Sequence, residues 1–381
     1  MILSSYKPKE GLILKNTKKL LLGAAVALGA LTLAGCGANG RSSSASGSTS
    51  PKDITVGISM PDKALQRWPS AAADLKKDLT AKGYKVDIQY ANSSTSTQSQ
   101  QVQNMANKGE KYIVIAAQDG TTLGPAVAAA KKNGATVIAY DRLIMNTPDV
   151  DYYATYNLQG VGKLQAESIV QKLGLDKGAK GPFNIELLGG DPTDNNAPQF
   201  FKGAMSVLSP YFKSGALVSP SKKGVDNNFQ QVAIPWTQQA AQTEMQTRLN
   251  SFYVGGKKLD AVLAPNDAQA FGVISALKAA GVDPTKVVIT GQDCETQNVP
   301  LIVKGEQYMS VYKSDVNLAD TVTTMISDAT NGKTPKTDSV SSNGQKNVPT
   351  VQLTPEAITK DNVKAELVDT GYITAAQAGL N

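Results

Sequence analysis

Six short clusters carry the side chains best suited to chemistry: Arg67-Trp68, Asp141-Arg142, Asp194 with Asn196, Asn266-Asp267, Gln292-Asp293 and Lys313. A carboxylate offers two acceptor oxygens and a guanidinium a fork of donors, so either one matches a pair of adjacent hydroxyls. A monosaccharide is a ring of such hydroxyls with apolar C–H faces, and flat aromatic surfaces cover those faces best. The chain has two tryptophans, Trp68 and Trp236, one in each half. These residue types point to a clamp in which each half contributes polar groups and one indole to a sugar.

Each cluster also has a plainer role open to it. Asn266-Asp267 suits the cap of a following helix, and Asp267 is read mainly in that role. Asp141-Arg142 could be a surface ion pair, and Trp68 and Trp236 ordinary core. Cys294, directly after Asp293, reads as a small buried cysteine and is assigned no role. The clusters gain weight together, because they recur in the same place relative to the elements around them.

Those elements alternate short β-rich runs with helical patterns. Strands are expected at 54–59, 85–90, 112–116 and 136–140, with helices at 71–82, 98–107 and 126–132 between them. A second series follows Asn157: helix 160–173, strand 183–188, helices 203–208 and 238–250, strand 261–264, helix 271–280 and strand 287–290. Strand–helix alternation of this kind predicts the α/β class, as two doubly wound parallel-sheet lobes. In such open sheets ligands bind beyond the carboxyl ends of the strands. The polar clusters fall there.

Composition narrows the function. Of the formal net charge of +6, five lysines against Glu10 place +4 before Cys36, and the remaining +2 gives no reason to expect nucleic-acid binding. No histidine occurs anywhere, which removes the side chain best suited to proton transfer near neutral pH and the commonest ligand of catalytic zinc. An enzyme, a cofactor and a metal are therefore not expected. A carbohydrate-active enzyme using Asp141 and Asp293 as acid and base is the rival chemistry.

The N-terminus reads as an address. Lys15 to Lys19 and the apolar stretch 20–33 form a signal peptide, too short to span a bilayer comfortably. Leu33-Ala34-Gly35-Cys36 looks like a lipobox, with Cys36 as the lipidation site, and 37–50 is a Gly/Ser-rich tether. The expectation is a lipid-anchored protein on the outer face of the cytoplasmic membrane, where a permease could collect what it binds.

The stretches Arg67-Trp68, Gln103-Asn104-Met105 with Lys108-Gly109, and Ala139-Tyr140-Asp141-Arg142 closely resemble the xylose-binding and multiple-sugar-binding proteins of the type I periplasmic binding protein superfamily. So do Gly189-Gly190-Asp191-Pro192 with Asp194-Asn195-Asn196-Ala197, Asn266-Asp267, Gly291-Gln292-Asp293 and Val311-Tyr312-Lys313. The resemblance runs almost from Ile54 to the end. It implies that Arg67, Asp141, Arg142, Asp194, Asn196, Asn266, Asp293 and Lys313 hydrogen-bond the sugar and that Trp68 and Trp236 stack on it. It also implies a three-segment hinge with crossovers near Tyr156, Lys313 and Thr350. The resulting division is signal peptide 1–35, tether 36–52, N-terminal lobe 53–156 plus 314–349, and C-terminal lobe 157–313 plus 350–381.

Pro265 and Cys294 stand where relatives often carry other residues. The implied partners are a monosaccharide such as xylose, glucose, galactose or arabinose and the permease subunits of an ABC importer, with the protein a monomer. A receptor that passes a sugar or quorum signal to a chemosensory or two-component sensor stays open as an alternative. A sugar-responsive repressor shares the fold but is opposed by the lipobox and the absence of a helix-turn-helix segment.

Overall fold

The computed structural model describes residues 50–380; the stretch expected to be a signal peptide, Cys36 and most of the expected tether lie outside the described residues. The first lobe opens with β1 (Thr55–Met60), α1 (Arg67–Ala81), β2 (Lys85–Tyr90), α2 (Thr95–Asn107), β3 (Tyr112–Ile115), α3 (Gly124–Lys132), β4 (Thr136–Tyr140) and β5 (Tyr152–Tyr156). In β3 and β4, Tyr112, Val114, Ile138 and Tyr140 face one apolar core, while Ile113, Ile115, Val137 and Ala139 face another. Successive side chains on a strand point to opposite faces, so a strand covered by helices on both sides must be apolar throughout. The close packing shows at Gly57, where an added Cβ would lie 2.1 Å from the Glu110 carboxylate and 2.7 Å from the Met105 sulfur.

The second lobe follows with α4 (Leu158–Lys172), β6 (Phe183–Leu187), α5 (Ala197–Ser214), β7 (Leu217–Val218), α6 (Gln238–Phe252) and β8 (Ala261–Leu263). It continues with α7 (Asp267–Ala279), β9 (Val288–Ile289), α8 (Val299–Lys304) and β10 (Met309–Tyr312). The chain then re-enters the first lobe with α9 (Asp315–Thr330), which packs beside α1, and with β11 (Ser339–Ser342) and β12 (Asn347–Leu353). It ends in the second lobe with β13 (Glu356–Thr359) and α10 (Ala375–Ala378).

The first sheet has seven strands in the order β11-β12-β5-β4-β3-β1-β2, parallel except at the β11 edge. The second sheet orders β7-β6-β8-β9, all parallel, and β10 with its antiparallel partner β13 continues it through a parallel bridge between Gln292 and Val311. Two mostly parallel, doubly wound sheets result, as the strand–helix alternation predicts. The helices begin earlier than their apolar periodicity suggests, α1 at Arg67 and α7 at Asp267, because polar residues of the cleft occupy their first turns.

Strand pairing shifts the third crossover. Thr350 pairs with Tyr153 and Leu353 with Tyr156, so the chain stays in the first sheet past Thr350 and leaves it only at Thr354-Pro355. Residues 350–353 therefore belong to the first lobe.

Candidate functional site

The strand ends of both lobes converge on one cavity. The structure brings all ten residues singled out from the sequence to its wall. Arg67, Trp68, Asp141 and Arg142 come from the first lobe; Asp194, Asn196, Trp236, Asn266 and Asp293 come from the second; Lys313 comes from the crossover. Leu65, Phe200 and Gln292 line the cavity as well. Gln292 sits at a strand end that the sequence marks, but Leu65 and Phe200 look like core residues until their neighbours are known.

Local backbone geometry aims the two carboxylates. Asp141 has φ +59° and Asp293 φ +94°, both in the left-handed region that side chains with a Cβ rarely adopt. Such conformations persist only where the surroundings enforce them. At Asp141 they do: its carbonyl accepts bonds from Tyr153 Oη at 2.7 Å, Asn196 Nδ2 at 2.9 Å and Thr155 Oγ1 at 3.0 Å. At Asp293 the neighbouring segment is clasped by Asp267, whose Oδ2 accepts the Glu295 N–H at 2.9 Å. The other Asp267 oxygen accepts from Gln307 Nε2 at 2.7 Å and Ser310 Oγ at 2.8 Å.

This corrects the capping assignment. Asn266 Oδ1 caps α7 by accepting the Gln269 N–H at 3.0 Å, which leaves the Asn266 amide nitrogen for a ligand. Asp267 is fully buried and holds the Asp293 segment in place. Burial, joined by Glu295, pushes its carboxyl well above the ordinary range, against the bonds from Gln307 and Ser310. Cys294 is likewise buried and its thiol is pushed up by burial, as suits a packed rather than a reactive cysteine.

Charges alternate in sign around the cavity and bridge the lobes. Arg67 pairs with Asp141 inside the first lobe and reaches Asp293 of the second at 3.5 Å. Lys313 Nζ lies 3.3 Å from Asp293 and 3.5 Å from Asp141, and Arg142 Nε lies 2.9 Å from Asp194 across the cleft. Burial alone would raise the Asp141 carboxyl, yet Arg67, Lys313 and Arg142 hold it well below the usual carboxylate range. Burial raises Asp194, with Arg142 opposing. Three cations face three carboxylates on the wall, a balance that suits a neutral, hydroxyl-rich ligand better than an ion.

The aromatic groups are held by polar contacts. The Arg142 guanidinium lies over the Trp68 ring at 4.8 Å, and Trp236 Nε1 donates to Asp194 Oδ2 at 3.1 Å. Phe200 meets Trp236 edge-on with centroids 6.3 Å apart. Gly190 must lack a side chain, since a Cβ there would sit 1.9 Å from the Trp236 ring. Trp68 Nε1, Arg67 Nε and Gln292 Oε1 are buried without a hydrogen-bond partner, so the wall keeps unused donors and acceptors.

A binding cavity between two doubly wound lobes, crossed three times by the chain, defines a type I periplasmic binding protein. A family model for the periplasmic binding protein domain matches residues 56–334. The multiple sugar-binding periplasmic receptor ChvE of Rhizobium radiobacter is 45% identical over 329 residues, covering 85% of this chain and 92% of that protein. The D-xylose-binding periplasmic protein of Escherichia coli is 37% identical over 321 residues, covering 84% and 91%. The crystal structure of an ABC transporter solute binding protein from Clostridium phytofermentans with bound β-D-glucose has TM-score 0.80 and 42% identity, covering 85% of this chain and 99% of that one. The chain belongs to the periplasmic binding protein family, in its type I sugar-binding branch.

Proposed function

We propose that this protein captures one free aldose between its lobes and delivers it to the permease of an ABC importer, held at the membrane by a lipid on Cys36. The observation that carries the reading is the charge-balanced ring of ten residues drawn from both lobes around one cavity. Asp141, Asp194 and Asp293 accept sugar hydroxyls, Arg67, Arg142, Asn196, Asn266 and Lys313 donate to ring and hydroxyl oxygens, and Trp68 and Trp236 cover the C–H faces. Closure is favoured because only the closed form supplies groups from both lobes to the same ligand. The likeness to a D-xylose-binding protein and to a glucose-bound solute binding protein supports glucose and xylose as the first candidates.

A panel of monosaccharides titrated into the purified protein, followed by tryptophan fluorescence and calorimetry, tests this. One-to-one binding of an aldose with a smaller scattering radius in the complex is expected. No heat and no fluorescence change across the panel would sink the reading. Labelling with a radioactive fatty acid in the native cell, lost on Cys36→Ala, tests the anchor.

A further inference from the structure

The ion pairs of Arg67 include one that the cavity wall does not explain. Asp141 and Asp293 line the cavity, but Asp315, whose Oδ1 lies 3.0 Å from Arg67 Nη1, does not. Asp315 is the first residue of α9, two positions after Lys313, and its side chain is 5% exposed. Like Asp141 it belongs to the first lobe, so these two carboxylates hold the guanidinium between them while the second lobe supplies Asp293. An arginine tied to Asp141 alone could swing about that pair. With Asp315 behind it, Nη1 stays aimed toward Asp293 and the Lys313 carbonyl, which accepts from it at 3.4 Å.

We propose that Asp315 is a positioning residue for Arg67 and the group through which closing on a sugar takes up a proton. This rests on the sugar-capture reading and extends it to a residue that touches no ligand. The geometry gives the reason: one guanidinium faces three carboxylates, with Lys313 beside Asp141 and Asp293 and Arg142 acting on Asp141. Burial pushes the Asp315 carboxyl up to about 7, with Arg67 opposing, Asp293 adding to the rise, Lys313 lowering it and Asp141 raising it. The phenols of Tyr140, Tyr156, Tyr312 and Tyr372 also face it, and burial raises all four, so they stay neutral.

The direction of the coupling follows. When the lobes part, water returns and Asp293 withdraws, so the two largest influences that raise Asp315 weaken, Asp141 alone staying in place, and its carboxyl falls toward the ordinary range. Closure raises it again and binds a proton, so affinity strengthens as pH falls from 8 to 6. A single coupled proton limits the change to about tenfold per pH unit. The Arg67–Asp315 contact is a charge pair without a formed hydrogen bond, and an asparagine copies the size and neutrality of the protonated acid.

The experiment measures binding of D-glucose and D-xylose from pH 6 to 8 for the wild type, Asp315→Asn, Asp315→Ala and Glu295→Gln. Glu295 is the necessary control, because burial and Asp293 push it up to about 7 as well. Expected are a wild-type affinity that weakens several-fold toward pH 8, a flat profile for D315N, a roughly tenfold weaker and flat profile for D315A, and an unaltered slope for E295Q. A wild-type slope in D315N, or a slope removed by E295Q alone, overturns the proposal while leaving sugar capture intact. A wild type that binds no aldose of the monosaccharide panel removes both.

Discussion

The second lobe buries one cluster of charge around Glu186 and Arg248, and the cleft buries another around Arg67, yet the two are finished differently. Glu186 Oε1 accepts from the Ser221 N–H at 3.2 Å and Tyr253 Oη at 3.0 Å; Oε2 accepts from Ser221 Oγ at 2.5 Å and Arg248 Nη1 at 2.9 Å. Arg248 also donates to the Leu187 carbonyl at 2.8 Å and to Glu244 at 2.8 Å. Every partner lies within one lobe and both carboxylate oxygens of Glu186 are saturated, although Arg248 Nη2 is buried without a partner. The cleft cluster spans two lobes, leaves Trp68 Nε1 and Gln292 Oε1 without partners, and keeps Asp141 and Asp293 in the left-handed region. The same residue types make scaffold where a carboxylate is saturated by partners of one lobe and a binding site where the charges span two lobes and keep donors and acceptors open to a third party.

Breaking the Glu186 cluster should produce the largest change in the molecule. Glu186→Ala takes from the buried Arg248 guanidinium its fully buried carboxylate partner and leaves Glu244 and the Leu187 carbonyl, which costs about 3 kcal/mol. Denaturant unfolding reads that loss, while the sugar affinity of the folded protein should stay within about twofold because Arg248 and the cavity share no partner. A large loss of affinity with little loss of stability would erase the distinction between scaffold and site.

The cleft should answer in the opposite way. Asp293→Gly removes two or more hydrogen bonds to a charged acceptor, about 3 kcal/mol or roughly a hundredfold in Kd. Glycine accepts φ +94° without strain, and that relief offsets its extra freedom in the unfolded chain, so stability should remain within about 1 kcal/mol of wild type. Calorimetric titration beside a thermal melt checks both halves. A melting temperature that collapses along with binding would mean that Asp293 is scaffold after all.

How much of this is visible without coordinates depends on whether a residue's role is local. Strands such as β3 and β4 are legible because burial on both faces forces unbroken apolar runs, and the cleft residues are legible because each follows such a run. β12 hides because Pro349, which lacks an N–H, argues against a strand, yet it pairs only with the edge strand β11 at Val340. Asp267 reads as a cap beside Asn266, and only contacts with Gln307 and Ser310, some forty residues away, reveal it as the clasp of the Asp293 segment. Phe200 and Asp315 escape for the same reason: an apolar residue inside α5 and an acid at the start of α9 have ordinary explanations until the neighbour they face is known.

The smallest effect tests whether closure itself, apart from sugar contact, contributes to binding. Gln66, just before Arg67, donates to Thr296 Oγ1 at 2.6 Å and accepts the Thr296 N–H at 2.9 Å, joining the lobes beside the cavity without lining it. These bonds form only when the lobes meet, so they add to the stability of the closed form whatever sugar it holds. Gln66→Ala should weaken Kd about fivefold, corresponding to roughly 1 kcal/mol, mainly through faster release. D-glucose and D-xylose should lose the same factor, unlike the Asp293 variant, whose loss depends on the hydroxyls each sugar presents. Stopped-flow release rates for both sugars read this directly, and a change in the glucose-to-xylose ratio would place Gln66 in the site rather than in the closure.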